Sequence, residues 1–307
     1  MKIIGPDQVY FGVDDLNACR TFLTDYGLRE NAPGYFEALD GTGCQILKRD
    51  DPSLPEALPT ATLLRKTVYG CVDQNTVEEI AAELEKDREV KRLEDGSIEA
   101  KDDAGFVLGF QVTIRRDIKL VAERVNSPGA EPARLENDVA ADPNGEALPR
   151  TLSHVVYFVP DVEKAEAFYV NRLKFVETDR FIQAGPFLRP GACRDHHTLF
   201  LIHTPPHMQG LEHIAFHMQG PTDLMLAGSR MVQKGYESFW GPGRHQLGSN
   251  WFWYFNSPLA THFEFDADMD LHDDNWVSRH VDLNAANSQL FLFENREKWS
   301  PGPPPEG

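Results

Sequence analysis

The sequence predicts an α+β protein built from two similar domains. Short β-rich runs alternate with amphipathic helical stretches, and the same series of elements occurs twice along the chain. The length of 307 residues suits two domains of ~150 residues each. Hydrophobic residues make up 41% and charged residues 25% of the chain, which is typical of a globular protein.

The first element of each copy is a β-rich run that leads into a helix. The runs are QVYFGVDDL at residues 8–16 and HVVYFVPDV at residues 154–162. Each contains an Asp, Asp15 or Asp161, that is suited to cap a helix. Apolar residues follow at helical spacing, so both copies are predicted to begin with a strand and a helix.

The later elements repeat in the same order. The β-rich runs at 66–72 and 212–218 each precede a second amphipathic helix. The runs at 105–110 and 260–265 each predict a further strand. Because three pairs of segments correspond in the same order, the sequence indicates an internal duplication at the scale of a domain.

The composition divides the chain into four predicted segments: a first domain at 1–122, a linker at 123–149, a second domain at 150–270 and an extension at 271–307. The linker is rich in Pro, Gly, Ala and acidic residues. The extension carries core-like residues at 290–293, and its Pro-rich tail at 300–307 is expected to be disordered.

The charge of the chain narrows the classes of partner. The formal net charge is −18, and an acidic surface disfavours nucleic acid and anionic membranes, which both require basic residues. No apolar run is long enough to predict a membrane span, and the N-terminus lacks the pattern of a secretory signal. The cysteines form no CxxC pair, which predicts reduced thiols in a cytoplasmic protein. Small molecules are therefore the expected partners.

The second copy is where the sequence predicts chemistry. All eleven histidines lie at or after His154. Alignment of the copies shows three gains of metal-ligating side chains: Gln8 becomes His154, Thr67 becomes His213, and Gly109 becomes Glu264. Each side chain alone would be an ordinary structural residue, but together they occupy equivalent strands of a duplicated module. Two histidines and one carboxylate leave coordination positions open, as in non-haem Fe(II) oxygen chemistry.

Six motifs in the second half resemble one enzyme family: LSHVV at 152–156, RDHHTL at 194–199, LEHIAF at 211–216, GPGRH at 241–245, FWYF at 252–255 and HFE at 262–264. In this order they resemble the type I extradiol ring-cleaving dioxygenases, of the catechol 2,3-dioxygenase and dihydroxybiphenyl dioxygenase type, in the vicinal oxygen chelate superfamily. The resemblance implies that each domain consists of paired βαβββ modules forming an open barrel. It also implies a homo-oligomer in which only the second domain binds iron.

The resemblance assigns roles to individual residues. The implied iron ligands are His154, His213 and Glu264. His197 would be the distal acid–base residue on a strand, His245 would contact a substrate hydroxyl, and Tyr254 would contact the deprotonated one.

Coordination chemistry agrees with those roles. Three protein ligands and two catechol oxygens leave one octahedral position for O2. A histidine can give and take a proton near neutral pH, which suits His197, and a tyrosine can donate a hydrogen bond to a charged ring oxygen. Mn(II) accepts the same nitrogen and oxygen ligands, so the metal is Fe(II) or Mn(II).

Several assignments stay open at this stage. Neighbours on a strand point to opposite faces, so only one of His196 and His197 enters the cavity, and the family pattern favours His197. His217 shares a strand face with His213, and His262 shares one with Glu264. We expect packing roles for both rather than orientation of a ligand. Four other histidines are expected at surface or loop positions: His203, His207, His272 and His280.

The sequence leads to one functional hypothesis and two alternatives. The hypothesis is an Fe(II)-dependent dioxygenase that opens a catechol-type ring with both atoms of O2. The alternatives are an O2-independent glyoxalase- or isomerase-like enzyme and a non-enzymatic small-molecule-binding protein of the same superfamily. Four aromatic residues suggest an apolar pocket: Phe181, Phe187, Trp240 and Trp251. Monocyclic catechols, bicyclic catechols and a trihydroxytoluene all remain open as substrates.

Overall fold

The computed structural model describes residues 1–142 and 144–293, and it forms two mixed β-sheets. The first half contains these elements: β1 Ile3–Val13, α1 Leu16–Tyr26, β2 Arg29–Ala32, β3 Tyr35–Glu37, β4 Gly43–Lys48, β5 Leu64–Cys71, α2 Gln74–Leu84, β6 Lys91–Arg92, β7 Ile98–Lys101 and β8 Val107–Val112. The eight strands are ordered β2-β3-β4-β1-β5-β8-β7-β6. Each half of this sheet is one βαβββ module.

The second half repeats this order and adds a short extension. Its elements are β9 Thr151–Val159, α3 Val162–Ala167, a π-helical turn Phe168–Arg172, β10 Val176–Phe181, β11 Gly185–Arg189, β12 Leu199–His203, a 3-10 turn Pro206–Met208, β13 Gly210–His217, α4 Pro221–Gln233, β14 Ser238–His245, β15 Trp251–Asn256, β16 His262–Ala267, β17 Arg279–Val281, α5 Ala285–Ser288 and β18 Gln289–Leu292. The ten strands are ordered β17-β10-β11-β12-β9-β13-β16-β15-β14-β18. The predicted α+β class and the duplication are therefore confirmed.

Local signals explain where the helices begin. The carboxylate of Asp15 accepts hydrogen bonds from two backbone N–H groups in the first turn of α1, and Asp161 caps α3 by accepting one from Lys164. Asp73 caps α2. Gly27 follows α1 in the left-handed conformation (φ 110°), which ends that helix. The starts of α1, α2 and α3 are thus each set by an Asp that the sequence places just before the helix, whereas α4 begins at Gly220 without a side-chain cap.

The extension completes both edges of the second sheet. β17 pairs with β10 at one edge and β18 pairs with β14 at the other. Of the core-like residues expected at 290–293, Leu292 is buried, whereas Leu290 and Phe293 are exposed. The tail at 300–307 lies outside the described residues. The described part of 123–149 contains no helix or strand, and the proposed domain boundaries stay predictions.

Helix α1 of the first half packs against the second half. The ring of Tyr26 stacks on Phe265 with centroids 4.0 Å apart, and its hydroxyl donates to the backbone carbonyl of Glu264 at 2.5 Å. Phe22 contacts Phe263 edge-on at 5.1 Å. The core therefore continues from the first half into β16, the strand that carries Glu264.

We expect Tyr26→Ala to lower the free energy of unfolding by about 3–5 kcal/mol, because it removes a fully buried aromatic ring. Tyr26→Phe keeps the ring and should cost only about 1 kcal/mol, the net value of one hydrogen bond. Urea denaturation of both variants measures the two contributions separately. Equal losses in the two variants would contradict a packing role for the ring.

Candidate metal centre and its cavity

Three predicted ligand side chains meet in the middle of the second sheet. His154 lies on β9, His213 on β13 and Glu264 on β16, and these strands are neighbours. Nε2 of His154 is 3.0 Å from Oε2 of Glu264, Nε2 of His213 is 3.3 Å from the same oxygen, and the two nitrogens are 3.2 Å apart. All three side chains are buried. One donor atom from each could therefore contact a single cation.

Hydrogen bonds fix the tautomer of His154. The hydroxyl of Ser153 donates to Oδ2 of Asp266 at 2.9 Å, so its oxygen is free to accept. Nδ1 of His154 lies 2.9 Å from this oxygen and donates its proton to it. The proton of the neutral ring is then on Nδ1, and Nε2 presents a lone pair to the centre.

His213 is fixed in the same tautomer by Glu212. Nδ1 of His213 donates to Oε2 of Glu212, and Nδ1 of His262 donates to the other oxygen at 3.0 Å. Burial raises the pKa of Glu212, but the charges and hydrogen bonds of these two histidines outweigh it and lower the pKa to about 2. Glu212 is therefore a permanent acceptor that keeps a proton on Nδ1 of His213, so Nε2 is the nitrogen left for a cation.

This arrangement fits a divalent cation. Both carboxylate oxygens of Glu264 are buried and receive no hydrogen bond from the described residues. Two nitrogen lone pairs and a carboxylate held ~3 Å apart repel one another unless positive charge lies between them. The centre does attract positive charge: burial lowers the pKa of His213, but Glu212 and Glu264 outweigh this and raise it to about 9. Two imidazoles and one carboxylate suit Fe(II) or Mn(II).

Strand register shows how the centre is built. Ala215 on β13 pairs with His154 on one side and with Glu264 on the other. His213 lies two residues before Ala215, so its side chain is on the same face of the sheet as the other two ligands. His154 and Glu264 therefore lie in one row of paired residues across the sheet. His213 lies at the next position of β13 on the same face.

The equivalent row of paired residues in the first half corrects the sequence alignment of the two copies. Val68 pairs with Gln8 and with Gly109. The residue two positions before Val68 is Lys66, so Lys66 and not Thr67 is the counterpart of His213. Thr67 lies on the opposite face and its hydroxyl accepts a hydrogen bond from Tyr157 in the core.

In the first half, the residue at the position of His213 is Lys66, which is itself a cation. The ammonium of Lys66 bonds to Glu99 at 2.5 Å and lies 4.3 Å from the centroid of the Tyr10 ring. Glu99 pairs with Gly109 on the adjacent strand, just as Tyr254 pairs with Glu264. An internal ion pair thus occupies the place of the metal centre, which explains why the first copy needs no metal ligands.

A cavity of about 240 Å³ opens above the centre. Its lining includes His197, His245 and Tyr254, so the structure brings all the predicted site residues together. The ring of His197 lies 4.2 Å from that of His154, and the ring of Tyr254 lies 5.0 Å from that of His213. The distal residues therefore surround the space in front of the ligands.

The polar groups of the cavity differ in hydrogen-bonding character. Burial, together with the charge of Glu264, raises the pKa of Tyr254 well above its usual value, so Tyr254 is a neutral phenol. Nδ1 of His245 faces the carbonyl of Ser288 at 3.3 Å, and its Nε2 lies 3.3 Å from the Tyr254 hydroxyl, which donates to it. Burial, reinforced by His154, lowers the pKa of His197 well below its usual value. The cavity thus offers a phenol donor at Tyr254 and a neutral imidazole at His197.

The pair His196–His197 differs from the expectation of a strand. Both residues lie in an irregular segment before β12, so strand alternation does not apply to them. His197 faces the cavity as expected, while His196 is fully buried behind it. The two rings meet through their Nδ1 atoms, 2.9 Å apart.

The expected packing roles of His217 and His262 are wrong. His262 donates to Glu212, which orients His213. Nδ1 of His217 bonds at 2.6 Å to Asp266, the residue that holds Ser153 and, through it, His154. Each histidine therefore supports one candidate metal ligand through a carboxylate.

The remaining histidines lie mostly where they were expected. His207 and His280 are exposed, and His203 is an exposed residue at the cavity lining. His272 is the exception, because it is buried and stacks on Trp276 at 3.9 Å.

Most of the cavity wall is apolar. Phe181, Phe187 and Trp240 line it as expected, but Trp251 packs against Arg244 and Phe291 outside it. Sequence reasoning missed further lining residues: Val156, Phe158, Phe200, Ile202 and Leu283. Strand alternation could have found two of them, since residues 156 and 158 share a face with His154.

We expect Glu212→Gln to weaken binding of the cation by about 10–100-fold. The amide can donate to Nδ1 of His213, which would move the ring proton to Nε2 and block that ligand atom. Calorimetric titration with Mn(II) under anaerobic conditions measures the effect. The exposed Glu163→Gln makes the same chemical change as a control, and equal affinities in the two variants would contradict the orienting role.

Comparisons with known proteins agree with this geometry. The model of the Glyoxalase/Bleomycin resistance protein/Dioxygenase superfamily matches residues 151–265. The matched region contains all three candidate metal ligands. Within the described residues, no helix has the length and apolar character needed to cross a membrane.

The proteins similar to this chain include enzymes. A stretch of 157 residues is 32% identical to metapyrocatechase 2 from Cupriavidus necator and covers 49% of this chain and 48% of that protein. The match thus spans about half the length of the curated relative. The Mn(II)-bound glyoxalase from Novosphingobium aromaticivorans is similar in structure, with a TM-score of 0.75, 21% identity and coverage of 98% of this chain and 95% of that one. The 2,2',3-trihydroxybiphenyl 1,2-dioxygenase from Sphingomonas wittichii has a TM-score of 0.68, 18% identity and coverage of 95% and 99%. These structures confirm the vicinal oxygen chelate fold of two domains.

Proposed function

We propose that the protein is an Fe(II)-dependent extradiol dioxygenase. It would open an ortho-dihydroxylated aromatic ring beside the diol and insert both atoms of O2. The observation that carries the proposal is the meeting of three lone-pair donors at the base of an apolar cavity that also holds His197, His245 and Tyr254. The identity with metapyrocatechase 2 over half the chain supports it. Cytoplasmic location and assembly as a homo-oligomer stay predictions.

The metal would supply one part of this chemistry. Bound to His154, His213 and Glu264, Fe(II) would hold both diol oxygens and pass electron density from the ring to O2. The remaining tasks fall to side chains of the cavity.

The cavity residues divide the proton chemistry between them. The neutral phenol of Tyr254 donates a hydrogen bond to the ring oxygen that carries negative charge. Nε2 of His245 accepts from Tyr254 and can accept instead from a diol hydroxyl. Nε2 of His197 can take a proton from the substrate side and return it.

The wall of the cavity indicates the substituent on the ring. Phe187 and Phe200 stack at 3.9 Å, and Leu247 packs with them. The described lining contains no Lys or Arg, so a carboxylate on the substituent would lose water without gaining an ion pair with either. The proposed substrates are therefore neutral catechols that carry an apolar or aromatic group.

An oxygen-uptake panel tests this function. The protein is purified anaerobically, loaded with Fe(II) or Mn(II), and supplied with 3-methylcatechol, 2,3-dihydroxybiphenyl, 1,2-dihydroxynaphthalene, a trihydroxytoluene and 3,4-dihydroxyphenylacetate. We expect O2 uptake with a yellow product, and kcat/KM at least ~10-fold lower for the carboxylated catechol because its charge is desolvated.

The outcomes separate the three functional hypotheses. Stoichiometric iron without O2 uptake on any catechol would overturn the proposal. Turnover of a substrate without O2 would favour the glyoxalase- or isomerase-like alternative. Failure to bind Fe(II), Mn(II) or Zn(II) would favour a non-enzymatic binding protein.

A further inference from the structure

A chain of buried polar groups lies behind His197. His196 is fully buried, and its Nε2 lies 2.8 Å from Oδ2 of Asp179 on β10. Its Nδ1 lies 2.9 Å from Nδ1 of His197. Three side chains from two segments of the chain thus form a continuous line from the interior to the cavity.

Asp179 is held as an ionised acceptor. Arg279 on β17 donates to it through the backbone N–H at 2.9 Å and through the guanidinium at 3.0 and 2.5 Å. Burial raises the pKa of Asp179, but the bonds from His196 and Arg279 outweigh it and lower the pKa to about 2. An ionised carboxylate can only accept, so Nε2 of His196 must carry a proton.

The direction of the chain follows from this acceptor. Burial lowers the pKa of His196, so its ring is neutral and has one N–H group, already used at Nε2. Its Nδ1 is therefore an acceptor, and the short contact requires Nδ1 of His197 to donate. Nδ1 of His197 is occupied by this contact and the residue lines the cavity, which leaves Nε2 for the substrate side.

The surroundings hold the ring of His196 in place. Its backbone N–H donates to Asp270 at 2.8 Å, and its carbonyl accepts from the Thr178 hydroxyl at 2.7 Å. Gly248 (φ 79°) packs against the ring so closely that a Cβ there would lie 2.9 Å from Nδ1. The chain is thus fixed by packing as well as by hydrogen bonds.

We propose that Asp179 and His196 are positioning residues that keep the proton of His197 on Nδ1, so that Nε2 faces the substrate as a base. The role of His197 rests on the proposed function. When a diol O–H bond breaks, the proton forms a new N–H bond at Nε2 of His197. The positive charge on that ring is then stabilised through His196 by the carboxylate of Asp179, as in other carboxylate–histidine systems. Return of the proton restores the neutral ring.

Imidazole ¹⁵N–¹H correlation spectra test the tautomer directly. They are recorded on the full chain, metal-free and with Zn(II), and the His197 signals are identified by their loss in His197→Gln. In the wild type we expect a His197 ring with its proton on Nδ1. In Asp179→Asn we expect a shift towards Nε2–H, because the amide can donate to Nε2 of His196 and so reverse the direction of the hydrogen bonds. Arg279→Gln disturbs the same sheet edge but leaves the carboxylate, so it should keep the Nδ1–H form.

A second pair of variants covers failure of Asp179→Asn to fold. His196→Asn keeps an acceptor beside His197 and should preserve the Nδ1–H ring, whereas His196→Leu removes the acceptor and should lose it. Wild-type tautomers in Asp179→Asn or in His196→Leu would overturn the proposal. Equal loss of the Nδ1–H form of His197 in Asp179→Asn and Arg279→Gln would also overturn the proposal, because it would indicate a purely structural role for Asp179.

Kinetics supply an independent measurement. In Fe(II)-loaded protein that turns over a catechol, Asp179→Asn should lower kcat at least ~10-fold with KM changed less than ~2-fold. The exposed Asp274→Asn should leave both parameters unchanged. If the wild type shows no turnover, the proposed function is wrong. The spectra still show whether Asp179 and His196 keep the proton of His197 on Nδ1.

Discussion

Glu264→Gln is expected to abolish tight binding of the divalent cation and, with it, ring cleavage. Glu264 supplies the charged ligand atom of the centre, and both of its oxygens are buried without a hydrogen-bond donor. In the variant, the amide N–H₂ can donate to the Nε2 lone pairs of His154 and His213, so it takes the place of the cation. Because outer-sphere partners alone are worth 10–100-fold in affinity, loss of a ligand should cost more than ~100-fold.

Metal analysis and unfolding together test this effect. Iron content is measured after anaerobic loading and dialysis, and Mn(II) affinity is measured by calorimetry. Urea unfolding of the metal-free variant shows whether the substitution leaves the fold intact. Glu237→Gln makes the same change at an exposed position and should bind metal normally. Wild-type affinity in Glu264→Gln would exclude the centre described above.

The ligands themselves could be predicted because they depend on a simple rule. Strand residues alternate between faces, and the duplication places His154, His213 and Glu264 on neighbouring strands of one module pair. The wrong counterpart, Thr67, differs from Lys66 by one residue, and a shift of one residue reverses the face of a strand. Sequence alignment of two short β-rich runs cannot fix register to that accuracy.

The supporting carboxylates depend on features that alternation does not describe. Glu212 directly precedes His213 and would point to the other face of a regular strand. The pairing of β13 with β9 shifts register between Leu211 and His213, and in this irregular stretch Glu212 reaches Nδ1 of its neighbour. Similarly, His196 meets His197 because their segment is not a strand. These contacts are visible only in three dimensions.

His197→Gln is expected to lower kcat by about 10²–10⁴-fold while leaving metal content unchanged. Glutamine can form hydrogen bonds in the cavity, but its amide cannot take a proton from a diol hydroxyl at neutral pH. The His197 ring packs beside His154 and is not part of the ligand set, so the cation should bind as in the wild type. Single-turnover measurements on anaerobically loaded protein separate this chemical step from substrate binding.

The control is a histidine on the same half of the chain but outside the cavity. His207 is exposed in the turn before β13, so His207→Gln should retain the kcat of the wild type. Loss of iron in His197→Gln would make this residue a metal ligand instead of an acid–base group. An unchanged kcat with full iron content would mean that the proton moves by another route, and of the described residues His245 is then the candidate, because its Nε2 already accepts from Tyr254.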